Sequence, residues 1–445
     1  MNYAQLNDQQ IAAMLGAIGV RSIDDLFSVI PDAQRLKRPL NIPDGVSELE
    51  MLRDLRSLTD RNADCTELVC FLGAGAYDHF IPTVVDDLAG RGEFLTAYTP
   101  YQAEASQGSL QAFYEYQTMI CQLTGMDVAN ASLYESASSA AEAVLLARGA
   151  TRRNRVVVSL AVHPETRQVL DSYMSCLTLD LATVPMADGA TDPSVLADAV
   201  NDDTAAVVVQ SPTFFGCIER LADLARIAHD AGALLIVSVD PISCGLLKPP
   251  GDLGADLVVG EGQALGIPLG YGGPYLGFFA AKEKYLRKMP GRVVGMGADA
   301  EGRRGFCLAL QTREQHIRRE RATSNVCTNQ GLMALRAAVY LAAMGKSGIA
   351  AVAAQCLDKA HYAAQRIAAL DGYSLKFQAP FFKEFTVQTG RGVPAVLKNC
   401  RQKGILAGVP LGRWFENLAD CFTVAVTEKR TRDEIDRLVD ALDTA

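Results

Sequence analysis

Asp240 closes the apolar run Leu234–Val239, which has the composition of a buried strand. A carboxylate at the carboxyl end of such a strand can pair with the protonated ring nitrogen of a pyridoxal-type cofactor. It can equally be an ordinary loop or capping acid. A pyridoxal phosphate enzyme would carry its Schiff-base lysine in the glycine-rich stretch GEGQALGIPLGYGGP, residues 260–274, after the run Leu257–Val259. So many glycines imply unusual backbone angles or close chain approach. The residue at the expected position is Gln263, and an amide cannot form a Schiff base. Lys248, Lys282, Lys284 and Lys288 lie before or after that position.

Two further stretches carry anion-binding potential. Ser136, Ser138 and Ser139 precede an alanine-rich helical segment, and hydroxyls with free N–H groups at a helix start suit a phosphate, although plain N-capping uses the same residues. In residues 312–329, Arg318, Arg319 and Arg321 could hold a carboxylate or phosphate bidentately, and Thr323, Ser324 and Asn325 could donate to an anion. A salt-bridged helix with a cap at its end accounts for the same pattern.

These residues need a scaffold, and the apolar runs supply one. Val156–Leu160, Ala206–Gln210, Leu234–Val239, Leu257–Val259 and Tyr275–Ala280 read as strands with helical stretches such as Arg220–Ala231 between most of them. Near-continuous apolar strands with helical crossovers predict a mostly parallel sheet covered on both faces. The last two runs are too close for a helix between them, so an antiparallel pairing is expected there. Residues 1–60 predict a helical arm, with helix starts at Asn7-Asp8 and Ser22–Asp25 and a capping box from Ser47 to Glu50. It holds few large apolar residues of its own and is expected to pack on something else. Residues 61–330 predict the large α/β domain. Residues 331–445 predict a linking helix, about 329–344 at its start, and a smaller α+β domain with strands at Phe385–Val387 and Phe422–Val426 and a closing helix at Arg432–Asp443.

Composition excludes several classes. The 445 residues are 49% hydrophobic and 21% charged with a formal charge of −9, which suits a globular chain and gives no basic patch for nucleic acid. The 11 cysteines form no C-x-x-C pair, so structural thiols in a reducing compartment are expected rather than disulfides, and no metal site. The N-terminus has no long apolar segment, and the run Ala233–Val239 is too short to span a membrane, so a soluble cytoplasmic protein is expected.

Several stretches closely resemble the glycine-cleavage P-protein family: FLGAGAYDHFIP at 71–82, YTPYQAEASQG at 98–108, YQTMICQLTGMDVANAS at 116–132, LGYGGP at 269–274 and HIRRERATSN at 316–325. The similarity is to the first half of the long single-chain form, or to subunit 1 of the two-subunit form. It implies fold type I of pyridoxal phosphate transferases, with a mostly parallel seven-stranded sheet and a smaller C-terminal domain. It implies glycine dehydrogenase (aminomethyl-transferring) activity in a heterotetramer, in which glycine loses CO2 and its aminomethyl group passes to the lipoyl arm of H-protein. The cofactor is then held covalently by a lysine-bearing partner, subunit 2, and this chain is inactive alone. By the same resemblance Tyr98, Tyr101, Gln102, Glu104, Thr323, Ser324 and Asn325 face an active site shared with that partner. Asp240, His163 and Ser138 correspond to a vestigial cofactor site. The family's usual Tyr-Asp-Gly-Ala-Thr-Ala is Tyr134-Glu-Ser-Ala-Ser-Ser139 here, so the phosphate loop is expected to have decayed with the lysine. The alternative reading is a non-catalytic regulatory or scaffold paralogue of a pyridoxal phosphate enzyme.

Overall fold

The computed structural model describes residues 6–177, 179–322, 324–326 and 328–445. The chain divides into two compact units, 1–63 and 64–445. In the first, helix α1 (Asp8–Ile18) opens on a capping box between Asn7 and Gln10, and helix α2 (Glu48–Thr59) on one between Ser47 and Glu50. Ser22 and Asp25 cap a short 3-10 turn in the same way. No described residue of this unit is buried, and Leu49, Leu52, Leu55 and Leu58 of α2 are all exposed. These helices close their own hydrogen bonds yet bury no core.

The second unit is built on helix α3 (Gln107–Thr124), strand β1 (Val128–Ala129), helix α4 (Ser136–Thr151), strand β2 (Arg155–Ser159), helix α5 (Pro164–Ser175) and strands β3 (Asp180–Val184) and β4 (Thr204–Ser211). Helix α6 (Leu221–Asp230), strand β5 (Leu234–Val239), strand β6 (Leu257–Glu261) and strand β7 (Gly277–Ala281) complete a seven-stranded sheet of order β1-β7-β6-β5-β4-β2-β3. Pairs from β6 through β3 are parallel, and β7 is antiparallel to both neighbours. The expected pairing of the last two runs is therefore present, with Phe279 opposite Val259. Val156, Val158 and Ile236 point into one buried cluster, and Val157, Val207 and Val237 into the cluster on the other face. This is the two-sided burial that the apolar runs required.

Helix α7 (Gly331–Ala368) is longer than the segment 329–344 read from sequence. It passes through Gly345, whose φ of 58° and ψ of −178° break the helical geometry between two merged helices. By length and composition it also suits a membrane span, which the sequence reading did not register. Its buried residues, however, divide between the core of the large sheet and that of the C-terminal layer. That layer has strands β8 (Tyr373–Leu375), β9 (Glu384–Thr389), β10 (Val409–Pro410) and β11 (Cys421–Ala425), in order β8-β9-β11-β10. Helices α8 (Val393–Gln402) and α9 (Arg432–Asp443) cover it, and α9 starts with a capping box from Thr431 to Glu434. The sequence reading passed over the antiparallel hairpin Val293–Ala298/Arg304–Ala309, because its glycines dilute the alternation of a strand. All ten cysteines among the described residues are free thiols; five are buried, but Cys176 and Cys307 are exposed, so not every thiol is a core residue.

Candidate functional site: a cavity at the strand ends lined by paired charges

A cavity opens at the carboxyl ends of β4, β5 and β6, where parallel sheets place their ligands. Gln210, Ser238, Asp240 and Glu261 line it from the strand ends, and Ser136 from the first turn of α4. Tyr77 of the 71–82 segment and Lys383 and Glu384 at the start of β9 close it from the C-terminal side.

Asp240 accepts the Ile242 amide on Oδ1 at 3.0 Å, and its Oδ2 meets Lys383 Nζ at 2.7 Å. Lys383 is almost fully buried at 1% exposure. Its ammonium also lies 2.9 Å from His79 Nε2 and 3.7 Å from the centre of the Tyr77 ring. An ammonium only donates, so His79 Nε2 accepts and Nδ1 carries the proton, donated to Glu428 Oε2 at 2.6 Å. Burial and the adjacent Lys383 charge hold His79 below its ordinary pKa, consistent with a neutral ring. Burial would push Glu428 up, but the His79 hydrogen bond and the Phe80 amide hold it below the ordinary carboxylate range. The result is a buried chain of alternating acceptors and donors, Asp240–Lys383–His79–Glu428. Cys356 joins His79 and Glu428 with ligand atoms within 4.8 Å of one another, but the Lys383 ammonium on His79 opposes any metal cation there.

Gln263 lies beneath the cavity at 2% exposure. Its Oε1 accepts the Tyr77 amide at 2.9 Å, and its Nε2 donates to the Tyr77 and Ile267 carbonyls at 3.1 and 2.8 Å. The side chain is fully spent on local backbone. Beside it, Glu261 accepts the amides of Leu276, Gln263 and Ser136 at 2.9, 3.1 and 3.2 Å, and burial pushes its pKa up to about 7.

At the start of α4 the N-cap is Glu135, whose Oε1 accepts the Ser138 amide at 2.8 Å and is also bonded by the Ser138 hydroxyl. The helix start thus binds a carboxylate supplied by the chain. His163 caps α5: its Nδ1 accepts the Glu165 amide at 3.1 Å, and its Nε2 meets the Ala74 carbonyl at 2.9 Å. Its ring stands edge-on to Phe214, with centroids 4.9 Å apart, and burial holds its pKa down.

These residues do not fit pyridoxal phosphate. There is no amine at the Gln263 position, the Asp240 carboxylate is neutralised by Lys383, and the α4 start is taken by Glu135 and Glu261. Asp240 and His163 line the cavity, but Ser138 does not, because its amide and hydroxyl turn to Glu135. Of the two readings of Ser136–Ser139, capping is the one this helix start shows. Lys383, His79 and Glu428 were missed: they lie far along the chain from Asp240, and the one local signal is a lysine inside the apolar run FFKEF, residues 381–385.

The other candidates lie elsewhere. Tyr98 is 80% exposed, and Tyr101, Gln102 and Glu104 are also exposed. None of the four lines the strand-end cavity. Ser324 is buried: its hydroxyl accepts the Val326 amide at 3.0 Å and bonds the buried carboxyl of Glu142, whose pKa burial pushes up to about 7. Asn325 is exposed on a second cavity with Arg148 and Arg152. Thr323 lies outside the described residues. Sequence reasoning also missed Arg292, a buried guanidinium joining Tyr101 to Asn329.

Comparison with known proteins is uniform over the whole chain. A family model described as glycine cleavage system P-protein matches residues 1–442. A relative from Carboxydothermus hydrogenoformans, named "Probable glycine dehydrogenase (decarboxylating) subunit 1", is 50% identical over 99% of each chain. A crystal structure of glycine decarboxylase (P-protein) of the glycine cleavage system, in inhibitor-bound form, is 43% identical, with full coverage of both chains and a TM-score of 0.92. Lactobacillus brevis glutamate decarboxylase, 15% identical with a TM-score of 0.69 over 93% of this chain and 98% of its own, shares the fold alone.

Proposed function

The chain belongs to the glycine cleavage system P-protein family, and from that premise we propose that it completes an active site whose cofactor is carried by its partner. It is a fold type I protein of the glycine dehydrogenase (decarboxylating) subunit 1 type, one part of a two-subunit enzyme. The family uses pyridoxal phosphate, which when bound supplies an electron sink for the carbanion left by CO2. In this reading the cofactor is bound covalently by the lysine-bearing subunit 2. Glycine is the substrate of the complex, and the aminomethyl group passes to lipoylated H-protein. The assembly is a heterotetramer in the cytoplasm.

The observation that supports this division of labour is Gln263, an amide at the lysine position with every polar atom committed to backbone. The contribution of this chain then comes from its exposed surface. Tyr98, Tyr101, Gln102 and Glu104 present hydroxyl, amide and carboxylate groups from a segment anchored by a buried arginine. Such groups can bind and orient glycine or exclude water at the partner's cofactor. The buried site around Asp240 takes no part in the chemistry.

The test is borohydride reduction of the isolated chain after incubation with pyridoxal phosphate, alongside glycine–CO2 exchange. The chain alone is expected to carry no pyridoxyl label and to exchange no CO2; mixing with the lysine-bearing subunit restores exchange. Exchange by the single chain would sink the proposal.

A further inference from the structure

Both ends of the strand-end cavity already hold a charge of the sign that pyridoxal phosphate would bring. At the Asp240 end a ring nitrogen would arrive as a cation, and Lys383 Nζ is already there at 2.7 Å. At the α4 end a phosphate would arrive as an anion. There Glu135 takes the Ser138 amide at 2.8 Å, and Glu261 takes the Ser136 amide at 3.2 Å. An incoming cofactor would therefore meet a like charge at each end as well as finding its counter-charges taken.

We propose that Lys383 and Glu135 are an intramolecular substitute for the charges of pyridoxal phosphate, with Glu261 occupying the Ser136 amide beside them, and that they, together with Gln263, keep the cofactor out of this subunit. Removing a cofactor from a fold shaped for it leaves an unpaired buried carboxylate and an uncapped helix start, both of which cost stability. Lys383 and Glu135 supply the missing partners from within the chain. The ammonium is itself satisfied on three sides, by Asp240, His79 and the face of Tyr77. On this account the loss of the lysine and the acquisition of these charges are separate changes, and reversing the first alone does not restore binding. The inference rests on the reading that this cavity corresponds to the cofactor site of related fold type I enzymes.

The experiment uses the full chain and pyridoxal phosphate as the probe, read by borohydride-fixed pyridoxyl label per chain. Gln263→Lys alone is expected to acquire no label. Gln263→Lys combined with Lys383→Met and Glu135→Ser is expected to acquire it, with at least tenfold more label at equal cofactor. Stoichiometric labelling of Gln263→Lys alone would overturn the inference while leaving the proposed function intact, whereas uptake by the wild-type chain would overturn that function. A folded triple variant that takes no label also overturns the inference.

A second measurement serves if the triple variant does not fold. Lys383→Met is expected to lower Tm by roughly 5 °C, with most of the loss recovered in Lys383→Met/Asp240→Asn. Additive losses in the two single variants would show that Lys383 and Asp240 are not a compensating pair and would overturn the substitution.

Discussion

Arg292 donates from Nη2 to the hydroxyl of Tyr101 at 3.2 Å, joining segments 191 residues apart. Its Nη1 donates to Asn329 Oδ1 at 3.1 Å, and its guanidinium lies 5.5 Å from the centre of the Tyr101 ring. The Tyr101 ring also meets His316 edge-on at 5.6 Å. One buried cation thus fastens the 98–108 segment to the 312–329 segment.

Arg292→Met is expected to leave this chain folded and paired but to lower glycine–CO2 exchange of the assembled enzyme. Losing charged hydrogen bonds worth about 1.5–3 kcal/mol each predicts a fall of roughly tenfold or more. Tyr101→Phe removes one acceptor and should give a smaller loss. Exchange rates equal to wild type in both, at equal cofactor content, would mean that this surface lends nothing to the reaction.

Glu142 gives a pH signature with a definite sign. Burial raises its pKa in the fold to about 7 from an ordinary 4.5. A raised folded pKa contributes stability that is complete below the unfolded value and is lost as pH rises through the folded one. Glu142→Gln should therefore gain relative to wild type between pH 4.5 and 7, by at most about 3 kcal/mol. Urea unfolding of the isolated chain at about pH 5 and about pH 8 checks this; a difference between the two proteins that stays constant with pH refutes it.

The helical arm makes a contrasting prediction. Leu52 and Leu55 of α2 are 52% and 50% exposed, so replacing both with Asp should change the stability of the isolated chain by only about 0.5 kcal/mol per site. The same pair of changes should weaken association with the lysine-bearing subunit, as read by analytical ultracentrifugation of the mixture. Unaltered association would mean that α2 is covered by nothing in the complex.

Gln263→Leu tests whether the amide is structural. Its removal strands the Tyr77 amide and the Tyr77 and Ile267 carbonyls in a buried place. A loss of about 3 kcal/mol in the isolated chain is expected from denaturant unfolding. A neutral substitution would show that water replaces the amide at this position.

The central strand runs, the helix start at Asn7, the capping box at Ser47 and the missing lysine at Gln263 were all legible along the chain. Each depends on residues within a few positions of one another, because hydrophobic period and cap chemistry act over one or two turns. At Ser136–Ser139 the sequence left anion binding and plain capping both open. Hydroxyls at a helix start are common to anion sites and to plain caps, and only the position of the Glu135 carboxylate separates them.

By itself, then, the sequence determined the kind of sheet, the helix starts and the absence of a Schiff-base amine, since local composition is enough for each. Tertiary structure alone decided that Lys383 answers Asp240 and that Arg292 answers Tyr101. Those pairs form only when strand order, the turn at the start of β9 and the hairpin after β7 bring distant segments together. A buried charge has no sequence period to announce its partner; the partner is whichever counter-charge the folded chain carries within a few ångströms.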